Sequence, residues 1–185
     1  MWTIGHSTRS REALLGLLHA HGIGRVTDVR RFPRSRRHPQ FNIDALARDL
    51  PAAGIAYGHR PGLGGFRRPR RDSRNAGWRN ASFRGYADYM ETDEFAAELD
   101  KLIEEARAAP TAIMCAEAVP WRCHRSLISD ALVARGVAVR HILGLAPAEP
   151  HVLTAGARLE GRSVIYADGG PDMAPKPPDA RAAPA

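Results

Sequence analysis

Between residues 115 and 125 the chain places two thiols, a carboxylate, an imidazole and two guanidiniums, in the runs Cys115-Ala116-Glu117 and Arg122-Cys123-His124-Arg125. A thiol flanked by arginines where a helix begins ionises more readily, because free backbone N–H groups and the helix dipole favour negative charge there. Cys115 or Cys123 is therefore read as a nucleophile or redox thiol, with His124 or Glu117 as general acid or base. Cys115, Glu117, Cys123 and His124 are also donors of the metal-binding type. No paired Cys-x-x-Cys or His-x-x-x-His spacing presents them as a closed cage, so neither a metal nor a cofactor is expected, and zinc stands as an alternative. The two thiols could instead form a redox pair across the loop. Gly62-Leu63-Gly64-Gly65 follows a strand-like run, but no helix begins directly after it, so it is not a nucleotide-binding glycine fingerprint.

Two further groups belong beside these if the chain forms an open parallel sheet, because ligands then bind beyond the carboxyl ends of the strands. His6 and Ser7 follow the first strand-like run, Trp2 to Gly5, and Asp28 and Arg30 close the second, Val26 to Val29. Asp28 is expected to orient a partner. Each residue also has a plainer role open to it: a small buried hydrophobe for Cys115, a loop hydrogen bond for His6, a structural ion pair for Asp28 or Glu117 with Arg30 or Arg125.

The charge is regional. The chain has 27 basic and 20 acidic residues, and all but Lys101 and Lys176 of the basic ones are arginine. Residues 25–84 hold 15 arginines against Asp28, Asp44, Asp49 and Asp72, so that stretch is +11 while the whole chain is +7. Guanidinium groups meet phosphate and carboxylate in a bidentate way, so a cluster of them points to anion recognition. In the loop from Arg31 to Phe41, and again from Arg67 to Arg79 with Trp78, cations are interleaved with aromatics, as a phosphate backbone with stackable bases requires. Arg30, Arg34, Arg36, Arg37, Arg122 and Arg125, with Ser7, are the expected ligands of the anion.

These groups need a frame. Strand-like and helical runs alternate along the chain, which means parallel βαβ units with helices on both faces, a three-layer α/β/α fold with a mainly parallel sheet and a single domain. Helices are predicted from Arg9 to Ala20, closed by Gly22, from Ile43 to Leu50, from a Thr92 cap through Ala106, and over Leu127 to Leu132 up to Gly136. Further strands are predicted at Ile55 to Tyr57, Thr111 to Met114 and Val137 to Val139, and residues 60–81 read as a long loop of the kind that carries function. The α/β domain is assigned to residues 1–143, a C-terminal extension with one short strand near Ser163 to Tyr166 to 144–169, and a Pro/Ala-rich disordered tail to 170–185. No apolar run reaches membrane-spanning length, and two cysteines without a signal segment point to a reducing, cytoplasmic setting.

The residues now assembled resemble a bacterial and archaeal family catalogued as domain of unknown function 488. The resemblance runs over most of residues 2–142 through Thr3-Ile4-Gly5-His6-Ser7, Asp28-Val29-Arg30 with Pro33 and Ser35, Leu63-Gly64-Gly65, Tyr86-Ala87-Asp88-Tyr89-Met90, Cys115-Ala116-Glu117 and Cys123-His124-Arg125. It implies a three-layer α/β fold with a polar site, and fixes no reaction. The expectation carried forward is an enzyme acting on a phosphate-bearing substrate, a nucleotide or nucleic acid. Its rivals are a non-catalytic nucleic-acid-binding module working through the arginine loops, and a metal-binding protein.

Overall fold

The computed structural model describes residues 1–167. The strands are β1 (Trp2–Gly5), β2 (Arg25–Asp28), β3 (Ala56–His59), β4 (Thr111–Cys115), β5 (Arg140–Ile142), β6 (Glu149–Pro150), β7 (Arg158–Glu160) and β8 (Ser163–Ile165). The helices are α1 (Arg11–Ala20), α2 (Ile43–Ala52), α3 (Ala81–Met90), α4 (Asp93–Glu105) and α5 (Arg125–Val133). Strands one to six form one sheet in the order β3-β2-β4-β1-β5-β6, parallel except for the last pair. β7 and β8 form a separate hairpin.

Strand β4 shows how the layers arise. All five of its residues are buried, and they alternate: Ala112 and Met114 join the core beneath α1 and α2, while Ile113 and Cys115 join the core beneath α3, α4 and α5. A strand buried on both faces must be apolar throughout, which is why this one reads as a continuous hydrophobic run. Ser10 caps α1 by accepting from the Ala13 N–H, and Thr92 caps α4 by accepting from the Phe95 N–H. α1 and α2 lead away from β4 on one face, and α4 and α5 flank it on the other, so neighbouring strand ends part at β2, β4 and β1.

Two departures from the sequence reading have physical causes. Helix α3 lies where the long loop was expected to end, and its aromatic content and central Gly85 hide it from propensity. A Cβ on Gly85 would lie 2.4 Å from the Arg67 carbonyl oxygen, so the close approach of the preceding loop demands glycine there. The strand expected at Val137 to Val139 forms instead at Arg140–Ile142, with the polar His141 in its middle paired to Thr3.

The burial of His141 depends on a chain of hydrogen bonds. The Thr3 hydroxyl lies 2.8 Å from His141 Nδ1, His141 Nε2 lies 2.9 Å from His151 Nδ1, and His151 Nε2 lies 2.8 Å from Asp130 Oδ1. Asp130, buried in α5, also accepts from the Thr154 amide and the Tyr166 hydroxyl. Read from the carboxylate outward, each imidazole donates one way and accepts the other, so both rings are satisfied in the neutral state. These bonds tie His151, Thr154 and Tyr166, within the stretch assigned to the C-terminal extension, to α5. The disordered tail expected at 170–185 lies outside the described residues.

Burial, His151 and Arg125 push His141 down to about 3. The unfolded chain then takes up a proton near the ordinary value of about 6.5 that the folded chain refuses, so stability is unaffected above that pH and falls as pH drops from there toward 3. One such proton corresponds to a slope of about 1.4 kcal/mol per pH unit. Urea unfolding midpoints between pH 7.5 and 4 should show this decline, and His141→Asn should remove one proton from the slope. Equal slopes in the two proteins would mean that His141 is not the group refusing the proton.

Candidate functional site

Three adjacent strand ends build the site. The Cα register pairs Gly5 with Cys115 and Asp28 with Met114, so His6, Val29 and the residues after Cys115 emerge side by side. Asp28 is fully buried and its carboxylate is occupied: Arg30 Nε and Nη2 reach it at 2.9 and 2.6 Å, and the Tyr57 hydroxyl donates to it at 3.0 Å. Asp28 therefore aims Arg30. The same guanidinium donates from Nη1 to His6 Nε2 at 3.0 Å and from Nη2 to the Phe41 carbonyl. That leaves one Nη1–H for a ligand. His6 donates from Nδ1 to the Ser7 carbonyl, and burial and Arg30 lower its pKa to about 4, so it is a neutral ring that positions Arg30.

On the face covered by α3 and α5, Cys115, Cys123 and His124 converge, with one potential ligand atom from each lying within 4.8 Å of the others. Cys115 ends β4. Cys123 ends a 3-10 turn, Pro120–Arg122, and receives the Arg125 amide at 3.5 Å on its Sγ. His124 opens α5, with Nδ1 3.7 Å from Cys123 Sγ and Nε2 3.2 Å from the Val29 carbonyl. A carbonyl only accepts, so Nε2 carries the proton and Nδ1 turns its lone pair toward the sulfur. The two thiols are unlike. Cys115 is raised, by its hydrogen bond to Cys123 and by burial. For Cys123 burial opposes ionisation, but the Cys115 hydrogen bond, the His124 ring and Arg125 together hold it well below the usual thiol range.

These groups form one wall of a cavity of about 530 Å³. Arg30, Arg31 and Phe32 line it from the end of β2, Gly65 and Phe66 from the long loop, Ser82, Phe83 and Tyr86 from α3, and Glu117 and Arg122 from the β4–α5 connection. Glu117 is exposed and lines this space, while its backbone carbonyl accepts from Arg125 Nη2 at 2.6 Å. Phe32 and Phe66 are 70% and 83% exposed, with ring centroids 6.4 Å apart. Of the residues expected from sequence, the cavity includes Cys115, Glu117, Cys123, His124, Arg30 and Arg122. His6 and Asp28 stand behind Arg30, Ser7 holds the Ala116 carbonyl through its amide, and Arg125 is buried beneath the loop. Arg34 and Arg36 line a separate cleft with Ser35, and Arg37 is exposed. The expectation of no metal cage from spacing alone thus meets a structure that brings three of the four donors together.

A comparison with protein families matches residues 10–132, two thirds of the chain, to the model described as Domain of unknown function DUF488. The chain belongs to this family. No curated protein and no solved structure matches it.

The DUF488 region contains the residues that sequence reasoning passed over, and their signal lay in Leu63-Gly64-Gly65 and Tyr86 to Met90. The Tyr86 hydroxyl donates to the Leu63 carbonyl at 2.7 Å and the Tyr89 hydroxyl to the Gly62 carbonyl at 2.6 Å. The buried Asp88 collects the Arg70 amide, the Ser73 hydroxyl and Asn75 Nδ2. One face of α3 thereby pins the long loop against the site, and the Tyr86 ring packs 5.0 Å from that of His124. A Cβ on Gly65 would lie 3.2 Å from His124 Nδ1, so glycine keeps the space beside that nitrogen open.

Gly5 carries a comparable constraint, since a Cβ there would lie 1.8 Å from the Glu117 carbonyl oxygen. Gly5→Ala should displace the loop that carries Glu117 and destabilise the protein by about 3 kcal/mol or more, at the upper end of overpacking. Gly16→Ala, on the exposed face of α1 with nothing within 4 Å of its Cβ, should stabilise it by about 1 kcal/mol. Urea denaturation of both proteins checks this, and a Gly5→Ala midpoint equal to wild type would show that the loop does not press on β1.

Proposed function

We propose that this chain is an enzyme acting on a phosphate-bearing substrate, a nucleotide or a nucleic-acid strand, within the cavity that Cys115, Cys123 and His124 wall on one side. The observation that carries this reading is the make-up of that cavity: reactive groups on one wall, aromatic rings on the others, and guanidiniums at its edge. Arg122 has no acidic partner among the described residues, unlike Arg60, Arg70 and Arg74, which are tied to glutamates. An unpaired guanidinium beside a concave apolar surface suits a phosphate, and Arg30, clamped by Asp28, adds a fixed donor. Phe32, Phe66 and Phe83 offer faces on which a base can stack.

In this reading Arg122 and Arg30 hold the anion, the phenylalanines hold the base, and the bond to be broken faces the Cys/His wall with Glu117 beside it. Arg34, Arg36, Arg37, Arg68 and Arg71, also unpaired among the described residues, supply a positive approach that attracts a polyanion without choosing its sequence.

Isothermal titration with nucleoside phosphates and short oligonucleotides tests this. Arg122→Ala should weaken binding about tenfold or more, as loss of a charge-assisted contact does, and Phe66→Ala should weaken it by about 1–3 kcal/mol, the worth of a stacked base. If an oligonucleotide binds but ignores both substitutions, and responds only to Arg34→Ala, Arg36→Ala and Arg37→Ala, the loops are a binding module and the cavity reading is lost.

A further inference from the structure

The convergence of Cys115, Cys123 and His124 has a stricter meaning than two thiols near a ring. We propose that these three side chains bind one zinc ion, with its fourth position open to the cavity and to the carboxylate of Glu117. Four independent features of the geometry lead there. The donor atoms lie within 4.8 Å of one another, with both sulfurs buried, which is the span of a tetrahedral site before the ligands close on the metal. His124 presents Nδ1 because Nε2 is anchored on the Val29 carbonyl, the outer hydrogen bond by which metal-binding imidazoles are held in one orientation. The Arg125 amide points at Cys123 Sγ, a contact that suits a metal-bound thiolate. Gly65 leaves uncovered the side of Nδ1 where any side chain would intrude.

Three protein ligands and an open fourth side are the marks of a catalytic rather than a structural zinc. Glu117 completes the arrangement. It is exposed and lines the same cavity, follows Cys115 by two positions, and its carboxylate has no hydrogen-bond partner among the described residues. Two cysteines, one histidine and a non-ligating glutamate are also the set used by zinc hydrolases of nucleobases, on a different arrangement of the chain. A zinc-bound water would give its proton to Glu117, and its oxygen would add to the electrophilic atom of the substrate. Glu117 would then return the proton to the departing group, so that the sum is hydrolysis, R–X + H₂O giving R–OH + HX. The hydrolytic role rests on the reading of the cavity as a substrate site, whereas the metal site does not.

The test uses the full chain, purified under reducing conditions with no chelator and no metal-affinity tag. Elemental analysis should find one zinc per chain. After removal by a chelator, cobalt(II) should return thiolate-to-metal charge-transfer absorption and the visible bands of a tetrahedral ion. Cys115→Ser, Cys123→Ser and His124→Ala should each lose stoichiometric zinc, while Glu117→Gln keeps it and loses hydrolysis. The wild-type cobalt spectrum stands even if a ligand variant fails to fold. The proposal is overturned if reduced wild-type protein takes up no zinc, if zinc stays bound in the three ligand variants, or if the thiols are isolated as a Cys115–Cys123 disulfide that binds no metal once reduced. Nucleotide titration of the same zinc-loaded protein separates the two readings. Zinc without nucleotide binding would refute the substrate assignment and leave the metal site standing.

Discussion

A guanidinium that meets no carboxylate among the described residues is buried under the loop that leaves β4. Arg125 is 1% exposed, and it is received by the carbonyls of Glu117 and Ala118, turned inward at 2.6 and 3.5 Å. A buried charge needs hydrogen bonds, and with Arg125 Nε left without one among the described residues, the two carbonyls met by Nη2 are not readily turned elsewhere. The loop backbone is pressed so close to β1 that only Gly5 fits beneath it, while Glu117 is exposed and lines the cavity. The same residue opens α5 and gives its amide to Cys123. One residue thus holds the segment from Cys115 to His124 at two points, its guanidinium on the carbonyls of Glu117 and Ala118 and its backbone amide on Cys123 Sγ.

Polar groups behind the site obey the same demand. Asp28, Arg30, His6 and Tyr57 form a closed set in which the carboxylate is fully used and the ring is neutral. Thr3, His141, His151, Asp130 and Tyr166 form a second, on the other side of β1 from β4. In the first, Asp28 is paired to Arg30 itself at 2.6 Å and holds that cavity-wall guanidinium in place; in the second, Asp130 is buried in α5. Half-satisfied, such networks would be worse than an apolar core, and here every acceptor on the two carboxylates is occupied by a donor. Their rigidity lets Arg30 stand at the cavity wall in one orientation.

The strand ends could be read from sequence because a buried parallel strand is an unbroken apolar run, and whatever polar residue follows it must lie at the sheet edge. That argument located Cys115, Asp28 and His6. It could not distinguish a residue in the cavity from one standing behind it, since Asp28 and Arg30 leave the same strand and only their side-chain directions differ. Helix α3 was hidden because its residues are chosen for what they touch rather than for helix propensity: Gly85, Tyr86 and Tyr89 meet the backbone of the long loop, and Phe83 stacks on Trp78. The arginine loop was legible as charge alone, and Arg34, Arg36 and Arg37 carry no mark in the sequence that separates them from Arg31, which lines the cavity.

Phe66 shows how the two halves of the cavity differ. It is a bulky residue at φ 62, in the left-handed region, and it is 83% exposed, so its ring contributes little to the core. A conformation of this kind costs on the order of 1–3 kcal/mol and persists only when its surroundings impose it. Arg31 donates to the Phe66 carbonyl, and Arg67, which lies over the Tyr89 ring, donates to the carbonyls of Gly62 and Gly64. Arg31 and Arg67, nearest the mouth, therefore hold the loop in shape. A strained, solvent-facing phenylalanine opposite a second exposed one gains nothing for folding. In the function proposed above, a flat apolar group laid over the two rings would cover surface that folding leaves exposed.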